Sequence, residues 1–126
     1  MLTLTKSKDF DRVFQQGISV SCSVIAVHAF KRRGKPSSAR AAFCVSKKFG
    51  KAVVRNRARR RLREVYRLNE DKLATQWDIV LLAHRRNMAV QFAMLEREFL
   101  NLCRRIGLLK SVRELPKEAP SAIPQE

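Results

Sequence analysis

Between Lys47 and Arg67 the chain carries ten lysines and arginines and one acid, Glu64. Arginine's planar fork meets a phosphate or carboxylate through two parallel hydrogen bonds, so such an array suits polyanion binding. A charge run is ordinarily a solvated helix face, and only its arrangement argues otherwise. Solvated helices intersperse acids at i±4 to gain pair energy. Here like charges repeat at that spacing, in Arg55, Arg59, Arg63 and Arg67 and again in Arg57 and Arg61. At about 100° per residue, Val54, Ala58, Leu62, Val65 and Tyr66 share one arc of a helical wheel. Arg59, Arg60, Arg63 and Arg67 lie opposite with Asn56, flanked by Arg57 and Arg61. The spacing predicts a helix docked by its apolar arc and displaying guanidinium groups on the other side. Lys47, Lys48 and Lys51 extend the charge ahead of it, and free backbone amides after Gly50 would add an anion site.

Candidates for catalysis are sparse. There are two histidines, His28 and His84, no paired acids at metal-ligand spacing and no Gly-rich phosphate loop. Asp78 is the one acid between Lys72 and Glu96. A protein-only nuclease needs a carboxylate cluster for its metals or an acid–base pair. The chain is therefore expected to hold no catalytic residues, metal or cofactor of its own. Cys22, Cys44 and Cys103 lack zinc-ligand spacing and read as reduced, half-buried apolar residues.

The elements that must position the array follow from length and pattern. The 126 residues suit one domain. Twenty-seven Lys and Arg against eleven Asp and Glu give a formal charge of +16, a self-repulsion that a polyanionic partner offsets. Nucleic acid, an anionic membrane and an acidic protein are the candidate partners. No apolar run approaches the ~20 residues of a membrane span. The opening Met1-Leu2-Thr3-Leu4-Thr5-Lys6 lacks the apolar core and cleavage site of a signal peptide. A cytoplasmic protein without membrane contact is expected.

A helix is predicted over 7–16, with Ser7 as cap, Asp9 and Asp11 in the first turn, Gly17 as stop, and Phe10, Val13 and Phe14 on one buried stripe. Residues 19–30 read as a strand and 40–46 as a second strand, joined in an antiparallel hairpin by a long basic loop. The basic helix covers 52–68. Residues 77–83 form a nearly all-apolar run, predicted to be a central strand. A last amphipathic helix covers 88–106, with Asn87 as cap and Gly107 as stop. The order αββαβα belongs to the α+β class, helices packed on a small sheet over 1–109. Pro116, Pro120 and Pro124 mark 110–126 as a flexible tail.

The run Val45-Ser46-Lys47-Lys48-Phe49-Gly50-Lys51-Ala52-Val53-Val54-Arg55-Asn56-Arg57, followed by further basic residues and Arg63-Glu64, is more specific than a basic helix. It resembles the signature of the bacterial ribonuclease P protein subunit. Asp9-Phe10 with Val13-Phe14 and Gly17 resembles that family's N-terminal motif, and 78–85 resembles its strand of Asp, hydrophobic residues, Ala and Arg. The resemblance covers roughly residues 4–109 and leaves out the tail. It implies a partner of a catalytic RNA that removes the 5′ leader of precursor tRNA to give mature 5′ ends. The hydrolysis would be the RNA's, and the holoenzyme is expected to need Mg2+.

Carried over residue by residue, the resemblance assigns RNA-subunit binding to Lys47, Lys48, Lys51, Arg55, Asn56, Arg57, Arg59, Arg60, Arg61, Arg63 and Arg67. Phe10 and Phe14 match positions lining a cleft for the single-stranded leader, between the N-terminal helix and the sheet. His28 stands at a strand position often filled by an aromatic, and unpaired bases stack on such rings with little sequence preference. Without the resemblance, Phe10 and Phe14 would be plain core residues and His28 a hydrogen-bonded strand histidine. His84, Arg85 and Arg86 either touch RNA or cap a solvent edge. The resemblance further implies a left-handed crossover between the second and third strands, against the general right-handed rule. The competing readings are a ribosomal or RNA-chaperone protein and a DNA-binding regulator. A nearly all-Arg face favours phosphate contact over base reading, which counts against the regulator. An acidic-protein binder lacks any supporting motif.

Overall fold

The computed structural model describes residues 2–34 and 38–109. The tail expected to be flexible lies outside them. Five strands and three helices follow in the order β1 (Leu2–Thr3), α1 (Ser7–Gln16), β2 (Ile18–Ser21), β3 (Ile25–Lys31), β4 (Arg40–Cys44), α2 (Ala52–Asn69), β5 (Trp77–Ala83) and α3 (Phe92–Arg105). The sheet order is β1-β4-β5-β3-β2. Single 3-10 turns stand at Lys47–Phe49, Glu70–Lys72 and Asn87–Ala89.

The class and the central strand are as the pattern predicts, but the pairing is not. The strand expected over 19–30 folds back on itself as β2 and β3, Ser19 opposite His28 and Val20 opposite Val27. The turn between them is closed by the Cys22 amide on the Ile25 carbonyl at 2.9 Å. Polar β2 thereby becomes an edge strand and apolar β3 an inner one. The predicted hairpin of 19–30 with 40–46 does not form, because β5 lies between β3 and β4. It runs antiparallel to β3 and parallel to β4. The reason is burial: six of the seven β5 residues are buried, and only a central place covers both faces of such a strand.

Strand alternation then sends side chains into two cores. On one face Ile25, Val27, Ile79 and Leu81 pack with Ala58, Leu62, Val65 and Tyr66 of α2 and Leu95, Phe99 and Leu102 of α3. On the other, Ala42 and Val80 pack with Leu4 and with Val13 of α1, and Phe10, Phe30, Cys44 and Leu82 close the edges. The three cysteines are free, two half-buried and Cys103 buried.

Helix boundaries shift where polar groups find tertiary partners. Ser7 is the first helical residue and Lys6 precedes it, with no side-chain cap. Asn87 does not cap α3, which starts at Phe92 after Gln91. Its amide instead donates to the Val24 carbonyl at 3.1 Å, tying the β5–α3 connection to the start of β3. Asp9 stands in the first turn of α1 as expected and is buried there, 3.4 Å from Arg40 and 3.8 Å from Arg12. Arg40 also grips the fully buried Asp78 of β5 through Nε at 2.9 Å and Nη2 at 2.7 Å. Arg32 closes the same carboxylate at 3.1 Å.

At the far end of α1 the helix meets β3 at Gly17. A Cβ there would stand 2.4 Å from both the Ala29 and Val13 carbonyl oxygens, so only glycine permits this approach. Gly17→Ala is expected to cost about 1–3 kcal/mol, as overpacking does, and Asp78→Ala about 3–5 kcal/mol, because Arg32 loses its counter-charge and Arg40 keeps only Asp9. Urea denaturation measures both. A loss under ~1 kcal/mol for Asp78→Ala would show that the cluster does not hold the fold together.

Candidate nucleic-acid interface

The basic surface begins where the chain leaves β4. Ser46 Oγ accepts from the Lys48 amide at 3.1 Å and starts the turn that carries Lys47 and Lys48 outward. Gly50, at φ 154°, makes the corner into α2. The first turn of α2 has no side-chain cap, which leaves its amides open to an anion. Ala58, Leu62, Val65 and Tyr66 dock as the wheel requires. Val54, expected on the same arc, is exposed together with Val53, so the first turn reaches beyond the packed part of the helix.

The guanidinium groups divide by environment. Arg57 and Arg60 are exposed, as are Lys47, Lys48 and Lys51. Arg59 is half-buried and held by Asn56 Oδ1 at 3.0 Å, and Arg63 lies over the Phe43 ring at 5.9 Å. Arg55 is half-buried. Two residues expected in the array are otherwise engaged. Arg67 is paired with Glu64 at 2.5 Å and holds that carboxyl below its ordinary pKa. Arg61 turns inward: Nη2 donates to the Asn87 and Val90 carbonyls at 2.9 and 2.7 Å, and Nε to Asn87 Oδ1 at 3.4 Å. Burial lowers its pKa, and its donors tie α2 to the chain entering α3.

A second polar surface lies on the opposite face of the sheet, beside α1. The helical spacing places Phe14 on a buried stripe with Phe10 and Val13. Only Val13 is fully covered; Phe10 is half-buried and Phe14 is 48% exposed. The Phe14 ring meets the His28 imidazole edge to face, centroids 5.0 Å apart. Ser19, Val20, Ser21, Ala26, His28 and His84 line a cavity of about 310 Å³ that this pair borders. His84 Nδ1 lies 2.8 Å from the Cys22 carbonyl and, since that oxygen can only accept, donates to it, which leaves Nε2 to face other partners. Burial and the neighbouring His84 hold the His28 pKa below its usual value, so its ring is uncharged at neutral pH. A neutral imidazole against an exposed phenyl edge, with hydroxyls alongside, is a surface for a flat ring rather than for a phosphate. His84 thus belongs to this groove, a place its sequence position beside Arg85 and Arg86 did not reveal. Among the described residues, no group of three or more His, Cys, Asp or Glu side chains is placed to hold a metal ion. Nor is any helix there long and apolar enough to cross a membrane.

The family model for ribonuclease P matches residues 2–107. The chain belongs to the ribonuclease P protein family. A ribonuclease P protein component of Natranaerobius thermophilus is 37% identical over 110 residues, covering 87% of this chain and 94% of the relative. That of Symbiobacterium thermophilum is 39% identical over 102 residues, 80% of this chain and 87% of the relative. Among solved structures, the RNase P protein from Thermotoga maritima superposes with a TM-score of 0.72 at 29% identity, covering 83% of this chain and 97% of that one. The Staphylococcus aureus RNase P protein reaches a TM-score of 0.75 at 22% identity, over 87% and 99% of the two chains, a likeness of fold. As a ribonuclease P protein component the chain takes part in tRNA processing.

Arg60 and Arg61 are neighbours in sequence with different roles, and this can be measured. Arg61→Ala is expected to lose about 1–3 kcal/mol, since the partly buried Asn87 and Val90 carbonyls lose their donor, whereas Arg60→Ala stays within about 0.5 kcal/mol of the parent. Equal small changes in urea midpoint would return Arg61 to the free array.

Proposed function

We propose that the exposed face of α2, with Lys47, Lys48 and Lys51, binds the catalytic RNA of ribonuclease P, and that the groove between α1 and the sheet takes the single-stranded 5′ leader of precursor tRNA. The observation that carries this reading is the placement of two chemically different surfaces on opposite faces of one sheet. One is dense in guanidinium groups and matches phosphate; the other sets Phe14 and His28 beside hydroxyls and matches unpaired bases. A protein built this way holds an RNA on one side and a strand of its substrate on the other. The hydrolysis belongs in this reading to the RNA and its Mg2+. Three acids of the domain serve arginines: Asp9 and Asp78 pair with Arg40, and Glu64 pairs with Arg67. The cytoplasm, where tRNA precursors are made, is the proposed location.

Added to a bacterial ribonuclease P RNA at low magnesium, the protein is expected to restore cleavage of precursor tRNA. A folded protein without effect there would remove the holoenzyme reading and leave a general RNA binder. If about five to eight phosphates are neutralised, log affinity for the RNA falls against log salt with a slope of roughly −4 to −7, and a slope near zero would rule out the array as contact surface.

For the groove, Phe14→Ala is expected to weaken preference for leader-bearing over mature tRNA by about five- to 150-fold, the range one stacked base supplies. Its urea midpoint should change little, because the ring is already half in solvent. An unchanged preference with intact folding would remove Phe14 from the leader site.

A further inference from the structure

Glu64 is out of place in a polyanion-binding helix. It is the one acid in the basic stretch of α2, it repels phosphate, and it occupies Arg67, which would otherwise add to the array. Beside it, where α2 meets the start of α3, lies a cavity of about 260 Å³ lined by Arg57, Arg60, Arg61, Glu64 and Phe92. That is below the roughly 300–1,000 Å³ of sites for drug-sized ligands, a size for one ring rather than a whole cofactor.

Its walls are held from behind. Two backbone carbonyls and Asn87 fix the Arg61 guanidinium. At the exposed rim, Arg67 pairs with the Glu64 carboxylate and keeps it ionised. Phe92 is half-buried against the main core, so its ring is anchored yet reachable. Arg57 and Arg60 stand exposed at the rim. The site thus combines an aromatic ring and an almost wholly apolar lining with an ion-paired carboxylate and two exposed guanidinium groups at its rim.

We propose that this cavity takes one unpaired nucleobase of the RNA subunit. The base lies against Phe92, the phosphates on either side of it meet Arg57 and Arg60, and Glu64 accepts one N–H from the base edge. A carboxylate offers about four acceptor positions and Arg67 occupies two, so two remain and a base N–H needs only one. Every base carries an N–H on its Watson–Crick edge, which makes the site one for an unstacked base and not for a particular letter. The proposal rests on the reading of α2 as the RNA-binding face. It adds a contact that phosphate neutralisation alone does not require, since that needs neither a ring nor an acid.

Glu64→Ala separates the two. If Glu64 is only a charge on the surface, removing it raises the positive charge, frees Arg67 and tightens binding to the RNA subunit. If it accepts a base N–H, affinity falls several-fold with the salt slope no shallower. Phe92→Leu keeps apolar packing and removes the aromatic face, and is expected to weaken RNA binding by about five- to 150-fold, the range of base–aromatic stacking. Both are measured with the full chain and a bacterial ribonuclease P RNA, with urea midpoints as the check on folding. A photoreactive benzoylphenylalanine at position 92 should crosslink to an unpaired nucleotide of that RNA. Tighter or unchanged binding for Glu64→Ala, unchanged binding for Phe92→Leu, or crosslinks confined to helical RNA would overturn the base site. Arg57→Ala and Arg60→Ala distinguish the failures: if they weaken binding while the other two do not, α2 still binds RNA and only the cavity is lost. If none of the four weakens binding, the reading of α2 falls as well.

Discussion

A carboxylate with no access to solvent has to be matched, and the arrangement of this domain is organised around one that is. Asp78 lies in the middle strand, fully buried, with Arg40 on both of its oxygens and Arg32 against one of them. Removing an ion from water costs several kcal/mol, which is recovered only with good geometry and further hydrogen bonds. Arg40 supplies that geometry from the neighbouring strand and reaches on to Asp9 of α1. One guanidinium therefore joins two strands and the helix across them. Gly17 limits the same helix at its other end by contact with the Ala29 backbone. Between these fixed points α1 has little freedom to slide, and Phe14 is held against His28 beside the groove.

The same logic separates the two surfaces. β5 is covered on both faces, α1 with Leu4 on one and α2 with α3 on the other. Whatever binds α2 is therefore on the far side of the sheet from whatever lies in the groove beside α1. Charge density follows the division. The α2 side concentrates arginine, while the groove offers an uncharged imidazole, a phenyl ring and serine hydroxyls. A surface whose charge suits long-range attraction of a polyanion and one whose rings suit short-range stacking thus occupy different parts of a small domain.

Not every arginine in the array has the same role, and the difference lies in neighbours rather than in residue type. Arg60 faces solvent; Arg61, one position on, has its fork bound by two carbonyls and an amide oxygen. A helical turn of 100° moves a side chain from the free face to the flank. On the flank, the β5–α3 connection happens to present acceptors. Phe10 and Phe14 divide in the same way, one partly under the sheet edge and the other in the open.

Local pattern was enough for much of this. The limits of α1, the buried arc of α2 from Ala58 to Tyr66 and the central place of β5 all follow from periodicity and apolar runs, which are properties of neighbouring residues. The ordered motif from Val45 to Glu64 was enough to indicate the family. What the sequence by itself determined, then, was which segments become helix or strand and which kind of surface α2 would show. Tertiary structure alone decided that β5 would part β3 from β4, that residues 19–30 would double back, that Asp78 would be paired by Arg40 and Arg32, and that Arg61 would face inward. Those outcomes depend on which distant groups arrive at the same place. A strand carries no record of its partner, and an arginine carries none of the carbonyl it will meet.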